Sequence, residues 1–116
     1  MQGKSLEDRR FREELHEMFE NQAHRIENAS RALRVMAHPA RLKILCVLRT
    51  GEHNVGELAT YTGLAQATLS QHLCLLKDRG LLTSRKEGVY HYYQIKDEGI
   101  VRLFELIKEV FCEADA

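Results

Sequence analysis

Three cysteines, Cys46, Cys74 and Cys112, are the strongest nucleophiles in this 116-residue chain. Thiolates attack sulfane sulfur and peroxides, and they ligate soft metals. Three widely scattered cysteines are too few for a disulfide framework, so they are open to three uses: packing, metal ligation or redox sensing. Six histidines are dispersed, and although His16 and His24 could share a helix side, no Cys or acid completes a metal site with them. A second group suits recognition without covalent chemistry: Gln66, Thr68, Ser70, Gln71 and His72 offer hydrogen bonds, and Ala67 a methyl group, within one short run. The chain has no Gly-rich phosphate loop, no nucleophile elbow and no base placed beside a nucleophile. No enzyme activity and no cofactor are therefore expected.

The elements that must hold these groups are legible from periodicity. Leu15, Phe19, Ile26, Ala29, Leu33 and Met36 recur at three- and four-residue steps, with Gln22 in the one polar slot. That seam predicts one long helix over 5–36, which needs a partner helix to cover it. His38 precedes the only proline, Pro39, and is pushed out of helical geometry, so a new helix starts there and runs to Arg49 before Gly51. Short helical patterns follow over 55–62 and 66–79, separated by Gly63 and stopped by Gly80. The period then changes to two residues around Glu87-Gly88, which predicts a hairpin over 81–95. A last amphipathic helix is expected over 97–114. The predicted fold class is mainly α with a small β-hairpin, in one domain spanning 1–116. Helix 55–62, its turn and helix 66–79 form a helix-turn-helix, and the hairpin is its wing.

Net charge is zero overall, yet residues 66–96 carry a net +3 and residues 97–116 a net −4. Nucleic-acid affinity follows local phosphate neutralisation, so the basic block outweighs the total. Leu69, Leu73 and Leu76 give helix 66–79 a core side. The opposite side offers Gln66, Ala67, Ser70 and Gln71, types that read adenine edges, phosphates and thymine methyls. Thr68, His72 and Lys77, with Arg85, Lys86 and His91 of the hairpin, are placed for backbone phosphates or the minor groove. The implied partner is double-stranded operator DNA. There is no apolar run long enough to span a membrane and no secretory leader, which points to a cytoplasmic protein with reduced thiols.

The segment Met36-Ala37-His38-Pro39-Ala40-Arg41-Leu42-Lys43-Ile44-Leu45, the run Leu69-Ser70-Gln71-His72-Leu73, and the wing residues Arg85-Lys86-Glu87-Gly88 and Tyr90-His91-Tyr92-Tyr93 together resemble the ArsR/SmtB family of winged helix-turn-helix repressors. The resemblance covers about residues 30–113. It implies a homodimer joined through the first and last helices, released from DNA by an inducer. One departure is Ala65, where the family usually has a capping Ser; its loss costs ~1 kcal/mol. The family's metal sites are incomplete here. Asn54 and Gly56 stand where one site has its Cys-x-Cys pair. Asp97 and Glu113 match the carboxylates of another, but Gly99 and Val110 replace its histidines. No metal is therefore expected. Cys46 and Cys112 instead match the dithiol pair of the branch typified by BigR, SqrR and HlyU, which implies persulfide or oxidant sensing with a small reactive sulfur or oxidant inducer. Two other readings stay open: a metal(loid)-responsive repressor with a non-standard site, and a winged-helix interaction module that binds no DNA. Cys74 has no counterpart in the resemblance.

Overall fold

A computed structural model describes residues 5–112. The elements run α1 (Ser5–Asn21), α2 (Ala23–Met36), α3 (Pro39–Leu48), β1 (His53–Asn54), α4 (Val55–Thr62), α5 (Gln66–Asp78), β2 (Leu82–Glu87), β3 (Tyr90–Ile95) and α6 (Glu98–Ile107). The chain divides after Arg34 into two compact units.

The first unit is helical, but the single helix expected over 5–36 is interrupted at Gln22. The Gln22 carbonyl accepts from both Arg25 and Ile26 N–H, at 2.9 and 3.1 Å, so one turn tightens where the apolar seam has its polar slot. Phe19, Ile26 and Leu33 of that seam are exposed. An apolar stripe open to water in one chain leaves a face that only another surface can bury.

The second unit has one core. Ile44, Leu45, Leu48, Leu58, Leu69, Leu73, Leu76 and Phe104 are fully buried, and each such side chain contributes about 1.5–3 kcal/mol. Four helices, α3 to α6, therefore converge on one apolar centre, and Leu82, Tyr93 and Ile95 of the sheet are buried with them. The helix ends follow local chemistry. His38 is extended and its Nδ1 accepts from Ala40 N–H at 3.1 Å, so it caps α3 while Pro39 occupies the first turn. Asn54 caps α4 through a capping box, with Asn54 Oδ1 accepting from Glu57 N–H at 2.8 Å and Glu57 Oε1 from Asn54 N–H at 2.9 Å. Gly63 ends α4 at φ +73°, a left-handed turn that side chains disfavour.

The hairpin has two loop residues, Gly88 and Val89, closed by the Glu87–Tyr90 pair. Gly88 at φ +60° followed by Val89 at negative φ suits a turn with glycine in its first central position. The sheet has one strand more than the sequence pattern predicts. Residues His53 and Asn54 pair antiparallel with Tyr93 and Tyr92, giving the order β1-β3-β2. Two residues carry no period of their own; β3 imposes the strand on them. The last helix is also shorter than expected. After Ile107 it widens into a π-helical turn over Lys108–Cys112. Residues 113–114, the expected end of that helix, lie outside the described residues, as does Glu113.

Candidate nucleic-acid interface and dithiol cavity

Helix α5 buries Leu69, Leu73 and Leu76 and leaves Gln66, Ala67, Thr68, Ser70 and Gln71 exposed. One side thus fixes the helix and the other presents short polar groups. The Thr62 hydroxyl, which sequence reasoning did not single out, ties the preceding turn. It donates to Leu58 O at 2.6 Å and accepts from Leu64 N–H at 3.2 Å. Ala65 has the extended geometry of an N-cap but no side chain to cap with. The first N–H groups of α5 are accordingly left for solvent or a ligand oxygen.

The wing folds back beside the start of α5. A groove of 280 Å³ is lined by Gln66 and Ser70 of α5, by Asn54, Val55 and Gly56 at the start of α4, and by Val89, Tyr90 and His91 of the wing. Val89 is 94 % exposed at the hairpin tip, beside Tyr90, and neither is among the residues expected from sequence to contact DNA. Such an apolar tip on a basic hairpin is the one signal that could have found them. His91 pairs across the ladder with Lys86. Its imidazole is held below the usual 6.5 by partial burial and then by the positive charges of Lys86 and Lys77. Lys77, Lys86 and His91 therefore form one basic cluster where α5 meets the wing.

Two residues expected at phosphates are placed otherwise. Arg85, half-exposed on the wing, is engaged by partners within the chain. Its Nε and Nη2 donate to Glu52 at 2.9 and 2.7 Å, its Nη1 reaches Glu87, and its guanidinium carbon lies 4.5 Å from the centre of the Tyr92 ring. The pairing raises the Arg85 pKa and lowers that of Glu52. Arg85 is a strut tying β2 to the segment before β1, since two carboxylates already satisfy its fork. His72 is half-buried and packs on His38, ring centres 4.9 Å apart. Burial, then His38 and Arg41, depress its pKa. It joins α5 to the start of α3 instead of standing on the polar side.

Cys46 and Cys112 line one cavity of 530 Å³, formed by the end of α3, the segment before β1, α4 and the π-helical turn. Cys46 is half-buried in α3 and Cys112 is exposed; both are free thiols. Burial pushes the Cys46 thiol up, as do the charge of Cys112 and its hydrogen bond, while Arg49 pulls it down. The two thiols thus share one cavity, and Cys112 influences the ionisation of Cys46. Cys74 is exposed on α5, with Sγ 3.8 Å from Asp78 Oδ2, and belongs to neither group. Among the described residues no three His, Cys, Asp or Glu side chains gather as a metal site. Asp97 is engaged as the N-cap of α6, its Oδ1 accepting from Gly99 N–H at 2.7 Å. No helix among the described residues is long and apolar enough to cross a membrane.

Comparison with known proteins bears on the whole arrangement. The family described as "Bacterial regulatory protein, arsR family" matches residues 38–84, from the cap of α3 into β2. The biofilm growth-associated repressor of Agrobacterium fabrum is 39% identical over 80 residues, covering 69% of this chain and 68% of the relative. The structure of reduced HlyU from Vibrio cholerae superposes with a TM-score of 0.74 at 34% identity, covering 80% of this chain and 98% of that one. A homodimeric winged helix-turn-helix DNA-binding domain from Mycobacterium bovis superposes at 0.68 with 38% identity, covering 77% of this chain and 82% of that one. The fold is that of a winged helix-turn-helix regulator, mainly helical with a small antiparallel wing, and the chain belongs to the arsR family of bacterial regulatory proteins.

Proposed function

We propose that the protein is a homodimeric repressor that binds operator DNA through α5 and the wing, and lets go when Cys46 and Cys112 become bridged. The observation that carries the DNA reading is the side of α5 bearing Gln66, Ser70 and Gln71, exposed next to the basic cluster of Lys77, Lys86 and His91. A helix that offers short polar groups at its N-terminal half fits the major groove. Ala67 supplies a methyl for thymine, Thr68 a hydroxyl for phosphate, and the Val89 tip a contact to sugar or minor groove. Arg85 and His72 support this surface from behind. Homodimers occur among the relatives, and the apolar seam of Phe19, Ile26 and Leu33 with the exposed Leu106, Val110 and Phe111 gives this chain two faces for a second copy.

The dithiol supplies the switch. Cys112 is exposed and meets the inducer first. Its thiolate attacks the outer sulfur of a persulfide, RSSH; the S–S bond breaks, RS⁻ leaves and takes up a proton, and Cys112 carries the persulfide. The Cys46 thiolate then attacks Cys112 Sγ and hydrosulfide departs, leaving a disulfide. With a hydroperoxide the first product is a sulfenic acid plus the alcohol or water, and Cys46 displaces water. Support comes from two thiols on one cavity and from a relative whose structure is described as reduced. A bond between α3 and the end of α6 alters the base on which both recognition helices are spaced. Half-sites lie about 34 Å apart, so small changes in spacing weaken binding.

Gel shifts on DNA upstream of the protein's own gene test this directly. Reduced protein retards the DNA, and polysulfide releases it together with a Cys46–Cys112 crosslink in the mass spectrum. Cys112→Ser keeps DNA retarded under polysulfide. Release by polysulfide in that variant contradicts the switch, and no retardation by reduced protein contradicts the DNA reading.

A further inference from the structure

The cavity beside the dithiol is far larger than sulfur chemistry alone requires. Its 530 Å³ lies within the range of sites for small organic molecules. Hydrogen peroxide or an inorganic polysulfide occupies a small part of that. The walls also have a definite charge. Arg49 and Lys108 line it, and no carboxylate does among the described residues. Val47 and the ring of Tyr61 make apolar walls, and His53 packs edge-on to Tyr61 with ring centres 5.7 Å apart.

The polar groups there are incompletely satisfied. Arg49 Nε is buried with no hydrogen-bond partner, and so is His53 Nδ1, whose nearest acid, Glu57, is 3.7 Å away. Thr50 is engaged, its hydroxyl donating to Val47 O at 2.6 Å and lying 2.8 Å from His53 Nε2. An arginine fork matches a carboxylate in shape as well as charge.

We propose that this cavity binds the organic portion of the inducer, a carboxylate-bearing low-molecular-weight thiol derivative, and that Arg49 recognises its carboxylate. This rests on the dithiol reading above and deepens it: the protein reads the carrier as well as the sulfur. The apolar walls take the short carbon chain, Arg49 takes the acid, and the reactive sulfur is left at Cys112. Inorganic donors lack the anchoring group, so their binding gains nothing from the Arg49 fork, whose charge still favours the Cys46 thiolate.

The test uses a probe that cannot react. S-methyl-N-acetylcysteine and its carboxamide are titrated into the reduced full chain, followed by amide NMR shifts around Thr50 and His53. The acid is expected to bind at least tenfold more tightly than the amide. Arg49→Gln abolishes that preference, and Arg49→Lys keeps it in part. Equal affinity of acid and amide for the unaltered protein overturns the proposal, as does the absence of binding. That comparison needs no variant and stands if Arg49→Gln does not fold. Because the probe carries no sulfane sulfur, its outcome is independent of the dithiol switch. The switch is tested separately, with the persulfide of N-acetylcysteine and the crosslink it leaves.

Discussion

At the scale of single residues, titration distinguishes the groups proposed to meet DNA from those proposed to support them. His91 has its pKa depressed by partial burial and by Lys86 and Lys77, so it is mostly neutral at pH 7. A phosphate brought to that cluster favours the imidazolium, so DNA binding takes up a proton and strengthens as pH falls. Fluorescence anisotropy should show tighter operator binding at pH 6.0 than at pH 7.5, and His91→Gln should remove most of the difference. Folding runs the other way. His72 and His91 bind protons less readily in the folded chain than at the ordinary 6.5 of the unfolded one. Their contribution to stability is complete above that value and is lost as pH falls below it. Thermal melts at pH 7.5 and 5.5 check that sign. Cys46, raised by burial, should gain reactivity toward iodoacetamide roughly tenfold per pH unit between 7 and 8, in proportion to its thiolate, and stay slower than Cys112. Faster alkylation of Cys46 than of Cys112 would reverse the order of attack given above.

At the scale of elements, the wing and the recognition helix each allow a clean substitution. Ala65 already holds N-cap geometry without a cap. Ala65→Ser should stabilise the fold by ~1 kcal/mol. For a domain of this size that is a rise in Tm of about 4 °C. Differential scanning calorimetry reads it, and an unchanged Tm would mean solvent already caps α5 equally well. Arg85 and Lys86 are neighbours with different tasks. Lys86→Ala should weaken DNA binding and reduce the slope of log K against log salt by about 0.9, the signature of one lost phosphate contact. Arg85→Ala should weaken binding by loosening the wing while leaving the slope in place. A slope lowered equally by both would return Arg85 to the phosphate contacts.

These same elements show what could be read without coordinates. Pro39 and Gly63 act through their own backbone preferences, and the start and stop they imply are found where expected, while the hairpin turn falls one residue later than Glu87-Gly88, on Gly88 and Val89. The polar side of α5 and the shared place of Cys46 and Cys112 follow from helical period and family resemblance. Arg85 was misplaced because its partner, Glu52, is 33 residues away and nothing local marks the pair. The strand β1 exists only through β3, and the π-helical turn before Cys112 interrupts an otherwise regular apolar period. His72 sits in a run of polar side chains, and only the packing of α5 on α3 turns it inward against His38.

At the scale of the whole molecule, zero net charge hides a division of labour: the block 66–96 is basic and the tail acidic. One copy offers a single recognition helix and several uncovered apolar side chains, among them Phe111 at 80 % exposure. In the proposed dimer, two copies would bury such faces and present two helices to one duplex, which would account for a long helical first unit on a small domain. The central claim is that α5 reads DNA. Its most direct test is anisotropy titration of labelled DNA from upstream of the protein's own gene, with unaltered protein and Gln71→Ala at fixed salt. The account predicts saturable binding of one dimer per site, weakened at least tenfold by Gln71→Ala on that DNA but little changed on unrelated DNA. Equal binding of both DNAs by both proteins would contradict it.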